Sequence, residues 1–136
     1  MTIEITTEKM LGALEKVVEE AGRDYTYPLE DLAAFNDSCR YVIDGRPACI
    51  VGRALHRLGV PIEDLSQVED ESAYRAIELL VNRGTVTVDG IGPGDVASAA
   101  QSVQDRSPKW TAARRDWGHA LEMARIAAGE NEESLL

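Results

Sequence analysis

The stretch Asp44-Gly-Arg-Pro-Ala-Cys49-Ile-Val-Gly-Arg53-Ala-Leu-His56-Arg57-Leu-Gly59 carries the clearest structural signals in the chain. Asp44-Gly45 is a turn that ends a brief strand running from Arg40 to Ile43. Pro47 suits the first turn of a helix, where a missing N–H costs nothing, and Gly59 followed by Pro61 stops one. The spacing therefore predicts a helix from Pro47 to Leu58. At about 100° per residue, Ile50, Val51, Ala54, Leu55 and Leu58 share one apolar arc, while Cys49, Gly52, Arg53 and His56 fall on the other.

Helical periodicity extends in both directions from this segment. Met10, Leu14, Val17, Val18 and Ala21 form one stripe, predicting a helix from Thr7 to Ala21 that is capped by Thr6 or Thr7 and ended by Gly22. Asp24 to Pro28 reads as an extended connector and Leu29 to Phe35 as a helical turn. Beyond Gly59, Pro61 to Val68 reads as a loop or short turn. A helix from Asp70 to Asn82 follows, with Ala73, Tyr74, Ile77, Leu80 and Val81 as its core stripe and Gly84 as its stop. Thr85 to Val88 is a short strand, Gly90 to Gly94 a loop, and Asp95 to Asp105 a helix. Ser107-Pro108 reads as a cap and first turn for a last helix from Lys109 to Ala128, with Trp110, Ala113, Trp117, Ala120, Leu121 and Ala124 on one face. The expected fold is mainly α (α+β): one compact domain over residues 1–129, about five helices, at most a short two-stranded β ribbon, and an acidic flexible tail over 130–136.

Composition bounds the function. The 136 residues are 44% hydrophobic and carry 24 acidic against 14 basic side chains, a net charge of -10. That is apolar enough to fold, and no run approaches the ~18 apolar residues of a membrane span. The N-terminus has neither the positive flank nor the apolar run of a secretion signal, so a cytoplasmic protein is expected. Acidic residues exceed basic ones along the whole chain, which disfavours nonspecific binding to nucleic acid or anionic membranes. In a reducing compartment Cys39 and Cys49 are expected as free, partly buried thiols.

Each chemical signal has a plain structural counterpart. A thiol in a helix's first turn, one turn before Arg53, ionises more easily, which makes Cys49, Arg53 and His56 a candidate ligand face. Cys49 and His56 stand about 10 Å apart along the helix, too far for a nucleophile–base pair, so no catalytic residue is assigned. The spacings of Cys39, Cys49, His56 and His119 match no compact metal motif, and no metal or cofactor is expected. Gly90-Ile-Gly92-Pro-Gly94 lacks the glycine and lysine positions of a phosphate loop and reads as a turn. Tyr74 to Gly90 has the helix–glycine–strand rhythm of a winged helix-turn-helix, but its helix balances Arg75 and Arg83 against Glu71 and Glu78. Trp110, Arg114 and Trp117 are candidate protein-binding residues wherever their stripe reaches the surface, since Trp and Arg dominate interface hot spots.

Asn36-Asp-Ser-Cys-Arg-Tyr41, the Asp44–Gly59 stretch, Gln101-Ser-Val-Gln104-Asp105, Trp110 and Trp117 together form a pattern. It resembles small proteins of actinobacteria and of the phages that infect them (mycobacteriophage-type), over roughly residues 30 to 120. The resemblance implies an actinobacterial or actinobacteriophage cytoplasmic protein, and no activity. The expected function is that of a non-enzymatic accessory protein that binds a host or self protein, as a homo-oligomer in the second case. The alternatives are a winged-helix-like DNA-binding regulator and a small thiol-dependent enzyme or ligand binder at Cys49.

Overall fold

A computed structural model describes residues 2–27, 40–106 and 114–129. In chain order these form β1 (Ile3–Ile5), α1 (Thr7–Ala21), β2 (Val42–Ile43), β3 (Arg46–Pro47), α2 (Ile50–Arg57), α3 (Ile62–Ser66), α4 (Ala73–Asn82), β4 (Val86–Val88), α5 (Gly92–Gln104) and α6 (Trp117–Ala127). The expectation of a mainly helical single domain holds, with five helices of seven residues or more among the described residues. Leu29 to Phe35, Ser107-Pro108, Trp110 and the 130–136 tail lie outside them.

Local sequence explains most boundaries. Thr6 caps α1 by accepting the Lys9 N–H, and Gly22 ends it at a φ of +100°, in the left-handed region that side chains avoid. The face it buries is Met10, Leu11, Ala13, Leu14, Val17 and Val18, as the stripe requires. Ser72 caps α4, and Asp116 caps α6 by accepting the His119 N–H.

Several elements depart from expectation: α4 opens at Ala73 instead of Asp70, and α5 opens at Gly92, inside the stretch read as a loop, instead of at Asp95. Pro47 lies in β3 instead of opening α2. Asp44 and Gly45, both at positive φ, turn the chain so that Val42 faces Pro47 and Ile43 faces Arg46 in an antiparallel hairpin. Bonds from the Ala48 N–H to the Tyr41 carbonyl and from the Cys49 N–H to the Arg40 carbonyl extend the hairpin, so the helix cannot start before Ile50. Residues 114–116 are not helical, because α6 starts where the Trp117 and Gly118 N–H groups bond the Tyr25 and Arg23 carbonyls. Finally, Ile3–Ile5 forms a strand that pairs in parallel with β4, Ile3 opposite Val86 and Ile5 opposite Val88. The described residues therefore hold two small two-stranded sheets.

The core centres on α5, which packs against α1, α2, α4 and α6. Its small inward residues Ala97 and Ala100 let those helices approach closely, with Val96 and Val103 filling between them. Two buried glutamines one turn apart on α5 serve as caps for other helices. The Gln104 carbonyl oxygen accepts the Ile50 N–H at 2.8 Å, the first of α2, and that of Gln101 accepts the Ala73 N–H at 2.6 Å, the first of α4. Each satisfies a donor that a helix start otherwise leaves unpaired in the interior. Gln104→Met preserves volume but leaves the buried Ile50 N–H without an acceptor. It should cost about 1–3 kcal/mol in urea unfolding, and a change below about 0.5 kcal/mol would show that α2 does not depend on this cap.

Candidate functional site

The residues singled out for chemistry are dispersed by the fold. Cys49 is the N-cap of α2, not an exposed helical residue. It is fully buried, accepts the Gly52 N–H, and its sulfur is held in a disulfide. The expectation of a free thiol is therefore corrected for Cys49, and with it the supposed thiolate beside Arg53; Cys39 lies outside the described residues. Trp117 is likewise fully buried, its indole edge-on to Tyr25 with centroids 4.5 Å apart. A docking face containing Trp117 is thus replaced by a core position, because the first turn of α6 is pinned under the segment that follows α1. Arg114 is exposed but forks onto the carboxylate of Asp116, at 2.9 and 2.8 Å. That pairing holds the Asp116 carboxyl below the usual carboxylate range and steadies the α6 cap.

Arg53 and His56 do lie together, lining a cleft of about 400 Å³ with Val17 and Glu20 of α1, Arg46 and Pro47 of β3, and Arg57. Arg53 donates from Nε to the Ala48 carbonyl at 2.9 Å, and its guanidinium carbon sits 4.9 Å from the Trp117 ring centroid and 5.6 Å from that of Tyr25. His56 bonds the Val60 carbonyl through Nδ1 at 3.1 Å, and because a carbonyl only accepts, Nδ1 carries the hydrogen. Arg57 reaches both carboxylate oxygens of Glu20 at 2.9 Å.

A second cleft, of about 190 Å³ and mainly apolar, was not anticipated. Tyr74, Ile77, Glu78 and Val81 line it from a single face of α4, completed by Val88 of β4 and by Gly90, Ile91 and Gly94. Tyr74, expected in the core stripe, is 41% exposed, and Ile91 is 67% exposed. Ala76 takes the buried position instead. Gly94 makes the arrangement possible, since a Cβ there would meet the Tyr74 ring at 2.9 Å. The available signal in the sequence was Ile91 itself, a large apolar residue between two glycines of a turn.

Among the described residues no three metal-ligating side chains come together, and no helix is long and apolar enough to cross a membrane. After α4 the chain does not fold back as a wing: β4 pairs in parallel with the N-terminal strand. Compared with known protein families, curated proteins and solved structures, the chain matches none of them.

Proposed function

We propose that this is a non-enzymatic, helical accessory protein that acts by binding another protein, and that the cleft between α4, β4 and the start of α5 is its docking face. The observation that carries the reading is the pairing of Tyr74 and Ile91. These are two of the four large hydrophobic side chains exposed among the described residues, and both line one cleft. Ile91 contributes apolar area at the surface, and Tyr74 is the aromatic type enriched at interface hot spots.

The occupant this face fits is an apolar segment flanked by basic residues. Glu78 lines the cleft, Asp89 and Asp95 flank its glycine turn in sequence, and the chain as a whole carries a charge of -10. Ile91→Asp should leave folding intact, because that side chain is mostly in solvent, and should abolish capture of the partner. The control is Ile126→Asp, at an equally apolar exposed position on α6. Tagged forms of the three proteins, presented to an actinobacterial lysate, test this directly. The expected result is one near-stoichiometric protein retained by wild type and by Ile126→Asp and lost with Ile91→Asp. Equal capture by all three, or background alone, would overturn the reading. If sedimentation instead shows a dimer that Ile91→Asp converts to monomer, the occupant is a second copy and the separate partner is rejected.

A further inference from the structure

We infer that the cleft between α1, α2 and the β2–β3 hairpin binds a small organic ligand through a dianionic phosphate group. The first argument is charge. Among the described residues, the cleft gathers Arg46, Arg53 and Arg57 with His56 against a single carboxylate, Glu20, on a chain whose net charge is -10. Counting only the three arginines and the one glutamate, the described lining carries two uncompensated positive charges, which match a phosphate monoester dianion.

The second argument is the state of the individual donors. Arg23, Arg40, Arg57, Arg75, Arg83, Arg114 and Arg125 each have a carboxylate within ion-pair distance. Arg46 and Arg53 have none among the described residues, yet they line the same cleft. Arg53 is also held in place before any ligand arrives. Its Nε is bonded to the Ala48 carbonyl and its guanidinium lies over Trp117 and Tyr25, while its terminal amino groups have no hydrogen-bond acceptor among the described residues. A guanidinium fixed in this way loses little freedom on binding, and its paired donors suit phosphate oxygens. His56 spends its Nδ1–H on the Val60 carbonyl, so in the neutral ring it lines the cleft without donating to the phosphate.

The third argument is size and lining. A volume of about 400 Å³ lies in the range of small-molecule sites, and Val17 and Pro47 add apolar wall beside the cations. That combination favours a phosphate carried on an organic group over the free ion.

The test uses calorimetric titration of the full chain in phosphate-free buffer, with phenyl phosphate, inorganic phosphate and benzoate as probes. One equivalent of phenyl phosphate should bind, at least about tenfold tighter than benzoate, whose single charge and planar shape use fewer of the donors. Inorganic phosphate should bind more weakly than phenyl phosphate. Arg46→Ala should weaken phenyl phosphate by about tenfold without shifting the melting temperature, because Arg46 is exposed and makes no ion pair among the described residues. Arg53→Gln should weaken it at least as much, and Arg75→Ala on α4 should not weaken it. No saturation by about 10 mM phenyl phosphate, equal affinity for benzoate, or an unchanged affinity in Arg46→Ala would each overturn the inference. Binding of a phosphopeptide without binding of phenyl phosphate would overturn it too, in favour of a macromolecular ligand.

Discussion

Trp117→Ala is expected to destabilise the protein by about 3–5 kcal/mol, enough to unfold much of a marginally stable domain at physiological temperature. The side chain is fully buried, and it lies where the first turn of α6 meets the segment that follows α1. Its ring meets Tyr25 edge-on and carries the Arg53 guanidinium at 4.9 Å, so truncation removes an aromatic contact, a cation–π contact and the volume between them. Trp117→Phe is the informative companion. The buried indole Nε1 has no hydrogen-bond partner among the described residues, so phenylalanine deletes a donor they leave unsatisfied along with one ring. Its cost should be about 1–2 kcal/mol. Urea unfolding followed by far-ultraviolet circular dichroism separates the two. A Trp117→Ala midpoint close to wild type would show that Trp117 is not central to the core. The same substitution frees Arg53 from its stack, so the folded fraction should bind phenyl phosphate more weakly than wild type.

What the sequence disclosed about this fold follows the range of the interactions concerned. Contacts within a few residues were legible: Thr6 and Gly22 bracket α1 where the stripe of Met10, Leu14 and Val17 places it. Pro47 misled because its fixed φ and missing N–H fit a helix's first turn and an edge strand equally well. Only the hydrogen bonds of the Asp44-Gly45 hairpin decide between them. Thr85 to Val88 was legible as a strand, but its partner β1 was not, being three residues long and some eighty residues away. Tyr74 illustrates a further limit. Periodicity identifies the apolar side of α4 but not how much of that side α5 covers, and here the cover stops at the glycine turn. For the basic cleft, Arg53 and His56 were legible as one face of a helix. Arg46 joins them only through the hairpin, and the loss of Cys49 from that face follows from α2 starting at Ile50. Gln101 and Gln104 stood in the sequence without a legible structural role, as did Tyr41, Cys49 and Gly52. The structure gives each of them a packing or capping role.

Gly52→Ala is expected to cost about 3 kcal/mol or more, although the same change in an open helix stabilises by about 1 kcal/mol. A Cβ at this position would lie 2.5 Å from the Tyr41 carbonyl oxygen and 2.9 Å from its Cα. Those are backbone atoms, and they are held on several sides. The Tyr41 carbonyl accepts the Ala48 N–H at 2.9 Å, its N–H donates to Glu69 at 2.6 Å, and its hydroxyl donates to the Glu71 carbonyl at 2.6 Å. Gln101 donates to that hydroxyl from the other side at 3.2 Å, and burial pushes the phenol's pKa up, so it stays a neutral donor. Relief therefore requires α2 to move away from the hairpin, which pulls the Ile50 N–H from Gln104 and shifts Arg53, His56 and Arg57 relative to Arg46. Beyond its chain neighbours and its own helix backbone, Gly12 in α1 has no atom of the described residues within 4 Å of the corresponding Cβ position. Gly12→Ala should raise the melting temperature while Gly52→Ala lowers it sharply. Opposite signs from one substitution in two helices isolate close approach from helix propensity. If Gly52→Ala melts at or above wild type, the contact between α2 and Tyr41 does not set the position of this helix, and the shared origin of the core and the basic cleft fails with it.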